Sequence, residues 1–402
     1  MSDQRPARPA RTDRLVSVII LAVVAAYIAF GLRTASYTLG CDFLAYFNAA
    51  NHWLAGQPIY DLTVTGTGTC GTYQYPPPFV LMAAPFSLFG FDAGNWLWIA
   101  FLIGCWGIGT AIIPVRPVAR WTILLLGAIG WPLIFGVRIG QVTPLLYLVF
   151  AVAWRSLERP VWLGASVAVG TMIKLQPGLL AVWLVTRRDW RALGVAAIVG
   201  AAIAAVAALV GLWDWPGFLT LLRATTNAVD IPVNMAIGST LRSLGMNLEL
   251  ARTIQTVNTA VILVIVVLAG LRLPRTPGFL VAVIGSQLIS PIVWAHYALI
   301  LLLPVAWLLD RRQWWAAAIP GVHVWLLLGV VPNWTYALAF HAALIGVIVV
   351  GWRERADERA SGDRAPGDRA PAPAPTGSPA PTGSPAPTGS PASTVPNPDP
   401  VG

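Results

Sequence analysis

The sequence predicts an all-α polytopic membrane protein, a bundle of about twelve transmembrane helices with short interfacial helices in its outer loops. Three observations carry that reading. Of the residues, 56% are hydrophobic and 11% charged, with a mean hydropathy of +0.68, whereas about a quarter of a soluble domain is charged. Uncharged runs such as 15–32 and 257–271 approach the roughly 20 residues that a bilayer crossing requires. Between such runs the arginines gather in short loops: Arg116/Arg120, Arg155/Arg159, Arg187/Arg188/Arg191, Arg272/Arg275 and Arg311/Arg312. That bias marks loops on the cytosolic side.

Walking the chain with this rule gives spans at 15–32, 93–113, 121–137, 142–154, 162–173, 178–186, 192–212, 252–271, 278–289, 297–309, 314–331 and 335–351. The start, RPARPARTDR, runs into the first span without a small-residue cleavage site, so 1–14 reads as a basic cytosolic N-terminus and the first helix as retained. Segment 162–186 begins and ends at basic loops and must cross twice, yet it has barely the length of one long helix. Its break falls at KLQP, where Pro177 removes a backbone donor. Half-length helices at membrane depth are tolerated where they line a protein or water-filled cavity. The stretch PPPFVLMAAPFSLFG at 76–90 is short and proline-rich, an interfacial or re-entrant element. The domain reading is therefore a transmembrane unit over 15–351. Residues 352–402, with their PTGSPA repeats, form a cytosolic tail too poor in apolar residues to order.

The same topology puts Asp42, Arg138, Gln141, Lys174, His296 and Asn333 on the outer side, together with a loop, 213–251, that carries Asn234, Ser239 and Arg242. Polar groups at membrane depth are costly and point to function. Asp42 heads a stretch in which Phe43, Phe47, Ala50 and Leu54 recur at helical spacing, an interfacial helix with its apolar face down. The aspartate is either a general base or the cap of that helix, a role Asp fills well. Lys174 is the one lysine in the chain; it is a phosphate partner or a snorkelling side chain. Arg138 and Gln141, in GVRIGQVTP, bind phosphate or a sugar hydroxyl, or satisfy a turn. His296 is an interfacial residue or a substrate contact. Cys41 and Cys70 share the first outer loop and are either a disulfide bracing Asp42 or two separate thiols.

Several classes are disfavoured. The +9 charge lies in the loops and forms no aromatic-interleaved basic face, so nucleic acid is not an expected partner. There is no Walker loop, no GxGxxG after a strand, no HExxH and no GxSxG. His52, His296, His323 and His341 lack metal-ligand spacing, so neither a metal nor a cofactor is expected.

Five stretches taken together, DFLAYFNAANHWLAGQPIYD, YQYPPPFVLMAAPFSLFG, GQVTPLLYLVFAVAW, GTMIKLQPGLLAVWLVTRRDWRA and SQLISPIVWAHYALILLLP, resemble glycosyltransferase family 87. This is a branch of the GT-C superfamily of integral-membrane, polyprenyl-phosphate-sugar-dependent enzymes. The resemblance runs in order from about residue 15 to 351. It implies Asp42 as general base in the first outer loop, Lys174 beside the donor phosphate, and His296 near donor or acceptor. Of the family's Asn-Gln-Ser type of outer-loop stretch, Ser239 corresponds within AIGSTLRSLG; the family's tryptophan–acid–His–His run reads Trp294-Ala295-His296-Tyr297.

The activity so implied is inverting transfer of a sugar, with mannose favoured, from a polyprenyl-phosphate donor to a lipid- or glycan-linked acceptor. Arg138 or Arg242 would assist Lys174 at the phosphate, and Asp42, near the aqueous interface, would stay ionised at neutral pH. The expected setting is the inner (plasma) membrane, among membrane lipids, with both termini cytosolic and the site extracytoplasmic. The competing class is a flippase or solute transporter, which calls for inverted repeats and a polar path to the cytosolic side. The sequence carries neither.

Overall fold

The computed structural model describes residues 38–63, 70–225, 228–231, 233–325 and 334–362, together with position 22. Among the described residues the structure is all-helical, with sixteen α-helices and a few 3₁₀ turns. The chain divides into two units, Met1–Asp357 and Glu358–Gly402, and the packing below belongs to the first. Of the second, the described part is the end of the last helix.

Helix α1 (Cys41–Leu54) starts at Gly40, whose φ of 73° is left-handed. A Cβ there would sit 2.8 Å from Asn95 Oδ1, so only glycine fits both the turn and the approach. α1 packs on α2 (Phe79–Ser87) and α3 (Phe91–Ile112). Its buried face is Phe43, Ala45, Tyr46, Ala49 and Ala50, while Leu54 is exposed. The predicted stripe is thus rotated towards Tyr46. Protein, rather than headgroups, covers this face, and the rings of Tyr75, Phe79 and Trp98 close on Tyr46 at 5.0–5.6 Å between centroids.

The expected span at 121–137 is two helices, α4 (Pro117–Ile129) and α5 (Trp131–Ile139), bent by 55°. Extended Gly130 followed by Pro132 breaks the backbone ladder there. α6 (Thr143–Arg155) follows, then α7 (Pro160–Ile173). At Lys174 the chain turns extended, with φ −156° and ψ 139°. It re-enters a helix through the 3₁₀ turn Gln176–Gly178 and α8 (Leu179–Thr186), which is the break predicted at KLQP. Next come α9 (Trp190–Leu209), α10 (Trp215–Thr225), α11 (Ile237–Ser243) and α12 (Leu248–Arg272). The side chains of Asp189 and Asn247 cap α9 and α12, each satisfying amides the helix start leaves open. α13 (Arg275–Leu288) is buried at every position from Pro277 onward, as a helix apolar all round requires. A 3₁₀ segment, Ala295–Leu301, runs straight into α14 (Leu302–Asp310), followed by α15 (Trp314–Trp325) and α16 (Trp334–Gly362). α16 continues past residue 351, where the tail was expected to begin.

Four helices are long and apolar enough to cross a membrane, five if the bent pair α4–α5 counts as one; shorter apolar helices accompany them. The protein is a multi-pass membrane protein, but about twelve full crossings are not present among the described residues. Several predicted spans are pieces of 9–14 residues, such as α5, α7 and α14. The spans at 15–32 and 326–331, Asn333 and the tail beyond 362 lie outside the described residues. The basic loops meet one another through acidic partners. Arg116 Nε lies 2.9 Å from Asp310, Arg275 pairs with Asp189 and Glu158, and Arg311 pairs with Glu354.

Candidate active site

Two tight turns bring the first candidate residues together. At Gly140 φ is 78°, and a Cβ would lie 2.8 Å from that of Phe43. The carbonyl of Gly140 accepts a 2.7 Å bond from Trp98 Nε1, while Gly40 N donates to the carbonyl of Arg138 at 2.9 Å. The start of α1 is therefore sewn to the α5–α6 turn, and Asp42 stands opposite Gln141. Gln141 Nε2 donates to Asp42 Oδ2 at 2.9 Å, and Gln141 Oε1 accepts from the Tyr75 hydroxyl at 3.1 Å. The Tyr46 hydroxyl in turn donates to that of Tyr75 at 3.0 Å. A carboxylate only accepts, whereas an amide does both. Tyr75 accordingly fixes which end of the Gln141 amide faces Asp42.

The N-cap of α1 is Gly40 and lacks a side-chain cap bond; the hydrogen bond of Asp42 goes to Gln141. Asp42 remains half-buried. Burial raises its carboxyl to about 6, against the opposing pull of the Lys174 charge and the Gln141 bond. The midpoint stands above the usual carboxylate range because α1 is packed into protein. At pH 7 about nine-tenths of the group is still ionised, one unit above its midpoint.

Lys174, half-buried, caps the broken end of α7. Its ammonium donates to the Tyr297 hydroxyl and lies 4.2 Å from the Tyr297 ring centroid and 5.4 Å from that of Tyr75. Both are cation–π distances. Tyr75 thus borders Lys174 with its ring and Gln141 with its hydroxyl, and the Asp42 carboxylate and the Lys174 ammonium are near enough to act on one another electrostatically. His296 is buried against Phe135, at 6.1 Å, and Tyr297, at 5.0 Å between centroids. Both its ring nitrogens lack a partner among the described residues. Tyr297, rather than His296, is the residue of that segment that meets Lys174.

Other expected residues lie apart from this cluster. Arg138 gives its Nε to Thr38 Oγ1 at 2.5 Å, and its carbonyl holds Gly40. Ser239 is buried and donates to the Ala228 carbonyl at 3.1 Å. Arg242 pairs with Asp230 at 3.0 Å and bonds the Met246 carbonyl, so it is engaged within its own loop and does not reach Lys174. Asn234, fully buried, donates to the carbonyls of Ala228 and Pro291 and accepts from the amides of Ala236 and Val293. It clamps the outer loop to the strand-like stretch before His296. Cys41 and Cys70 form a disulfide with Cα atoms 4.8 Å apart, tying the chain just ahead of Tyr73 and Tyr75 to the first turn of α1. Sequence reasoning missed Tyr75 as the central residue of the site. Its signal was the YQYPPP run, whose prolines fix the backbone and whose tyrosines carry hydroxyls that burial obliges to pair. Among the described residues no three metal-ligating side chains gather.

The sequence profile of glycosyltransferase family 87 matches residues 73–293, a stretch that holds Tyr75, Gln141 and Lys174. A curated relative from Mycobacterium tuberculosis (strain ATCC 25618 / H37Rv) is a polyprenol-phosphate-mannose-dependent alpha-(1-2)-phosphatidylinositol mannoside mannosyltransferase. It is 24% identical over 344 residues, covering 77% of this chain and 75% of its own.

Proposed function

The chain belongs to glycosyltransferase family 87, and from that premise we propose that it transfers a mannosyl group, with inversion, from a polyprenyl-phosphate donor to a hydroxyl of a lipid- or glycan-linked acceptor. One observation carries the reading: a carboxylate held by Gln141 and an ammonium held by Tyr297 lie within electrostatic reach of one another, bridged by Tyr75, and these are the two charges that the reaction needs. The relative's dependence on polyprenol-phosphate mannose supports the choice of donor and sugar. The loops rich in arginine support a cytosolic placement of that end, which leaves Asp42 and Lys174 on the extracytoplasmic side of the inner membrane with both termini cytosolic.

In the proposed mechanism the donor enters from the lipid, and its phosphate takes the place of water beside the Lys174 ammonium. The acceptor hydroxyl attacks C1 of the sugar. The bond from C1 to the phosphate oxygen breaks, and its electron pair stays on the phosphate. The acceptor proton passes to Asp42, whose second oxygen, Oδ1, is not the one bound by Gln141. A positioned base contributes about 10²–10⁴-fold. Stabilisation of the departing phosphate by a fixed ammonium in a water-poor site supplies a further electrostatic share. The leaving group departs as a stable anion, so the scheme calls for no general acid. Arg242 has no part in it, and Ser239 serves the fold of its loop.

The test is transfer of radiolabelled sugar in reconstituted membranes. Polyprenyl-phosphate mannose and its arabinofuranose counterpart are supplied in turn with a total lipid extract, for wild type and Asp42→Asn. Mannose transfer that falls at least a hundredfold in the variant is the expected result. Equal transfer by both proteins rejects Asp42 as the base, transfer from the arabinose donor alone rejects the sugar, and transfer from neither rejects the activity.

A further inference from the structure

A second cleft lies along α1, beyond the Asp42–Gln141 contact. It has a volume of about 370 Å³, within the range of roughly 300–1,000 Å³ typical of small-molecule sites. Its floor is made by Ala45 and Ala49, its rim by Asn48, His52 and Asp61, and its back wall by Tyr73 next to the Cys41–Cys70 disulfide. Positions 42, 45, 49 and 52 follow helical spacing and share one face of α1. The cleft therefore continues the face that carries Asp42, and the two alanines are what leave it open.

The polar groups on the rim have a consistent chemistry. Asp61 is exposed and receives two hydrogen bonds from Thr63, at 2.9 Å from its amide and 2.6 Å from its hydroxyl. These bonds hold it below the usual carboxylate range, so it is an anion that only accepts. The Asn48 amide and the His52 imidazole make no side-chain hydrogen bond among the described residues and are free to donate and accept. Among the described residues no lysine or arginine lines the cleft, which makes it a poor phosphate site. A carboxylate, an amide and an imidazole converging beside a tyrosine ring are what a neutral polyol with vicinal hydroxyls calls for. The phosphate-seeking charge, Lys174, lies instead against the rings of Tyr75 and Tyr297.

We infer that this cleft is the acceptor subsite, in which Asn48, His52 and Asp61 hold the hydroxyl-rich headgroup of the glycosyl acceptor along the face of α1 that leads to Asp42. The assignment rests on the glycosyl-transfer reading above and adds to it the residues that select the acceptor. It accounts for the cleft's neutrality to phosphate and for its place on the helix that bears the base.

The experiment measures binding rather than turnover. Equilibrium binding of radiolabelled octyl α-mannoside to the full chain in lipid nanodiscs is compared for wild type, Asn48→Ala, Asp61→Ala and Arg242→Ala. Saturable binding by wild type is expected, unaffected by inorganic phosphate, at least tenfold weaker in the first two variants and within about twofold of wild type in Arg242→Ala, whose side chain is engaged with Asp230 and Met246. Asp61 is exposed and Asn48 half-buried with no side-chain hydrogen bond to lose among the described residues, so little effect on folding is expected, and melting temperatures equal to wild type confirm that. Absence of saturable binding in wild type, unchanged binding in the rim variants, or competition by inorganic phosphate each overturns the assignment. Mannoside binding through the cleft combined with no transfer from either donor overturns the glycosyl-transfer reading and leaves the polyol site standing.

Discussion

Replacing Gln141 by leucine removes the donor to Asp42 while roughly keeping the side-chain volume. In the wild-type site the carboxyl titrates at about 6, with burial pushing it up and the Gln141 bond and Lys174 pulling it down. A hydrogen bond to a charged group is worth about 1.5–3 kcal/mol, and one pKa unit is 1.36 kcal/mol, so losing the bond lifts the carboxyl by about one to two units. The active form of a base is the deprotonated one, so activity is lost as pH falls through the pKa. At pH 7 the ionised fraction drops from about nine-tenths to between about a half and a tenth, a two- to tenfold fall in kcat/KM. The assay is kcat/KM for sugar transfer from pH 5 to pH 10. Burial also pushes the Lys174 ammonium down to about 7, so rates fall at high pH in both proteins and the readout is the ratio of variant to wild type, which should climb towards one between about pH 7 and pH 9. That climb also shows that the protein is folded, despite the acceptor that Tyr75 loses. A ratio that stays flat, with a uniform loss at every pH, would refute the coupling between Gln141 and Asp42.

Other substitutions separate the roles of the remaining residues. Lys174→Met should raise the KM for the polyprenyl-phosphate donor by about ten- to a hundredfold, the value of a charge-assisted bond, and leave acceptor KM nearly unchanged in initial-rate kinetics. Gly40→Ala meets both a left-handed φ and the Asn95 side chain; a loss of at least about 1–2 kcal/mol in thermal unfolding is expected, with kcat falling because Asp42 shifts. Ser239→Ala should cost about 1 kcal/mol of stability and Arg242→Ala within about 0.5 kcal/mol, and neither should move donor KM. A change in donor KM for either one would restore the phosphate or sugar contact first read from their place in the sequence.

Different parts of the molecule were legible in the sequence to different degrees, for physical reasons. Asp42 and Lys174 stood out because ionisable groups are rare in this chain, and the helix break at Pro177 is written in the covalent chemistry of proline. Gln141 was visible as a polar residue in an apolar turn, but its partner was not. Tyr46 and Tyr75 reach one another across 29 positions, and nothing in local spacing encodes such a contact. The partners of Ser239 and Arg242, the Ala228 carbonyl and Asp230, were not legible, because topology assigns a residue to a side of the membrane and says nothing about which carbonyl or carboxylate lies within its reach. The count of about twelve spans is not confirmed among the described residues for a related reason. Apolar stretches of 9–14 residues read as crossings when hydropathy is the guide, whereas in the structure they are shorter helices, one pair of them joined by a 55° bend. The amphipathic stripe of α1 was found with the wrong rotation, since periodicity identifies an apolar face but not whether lipid or Trp98 will cover it.

Lys174 also makes this protein unusually easy to address by chemistry. It is the one lysine in 402 residues, half-buried at the break between α7 and α8. An acylating or reductively alkylating reagent therefore meets a single side-chain amine per chain, and a mass measurement of the modified peptide counts site occupancy directly. A ligand seated against that ammonium shields it, and an empty pocket leaves it open to label. The degree of labelling becomes a binding isotherm for anionic lipids that needs neither a substituted residue nor a turnover.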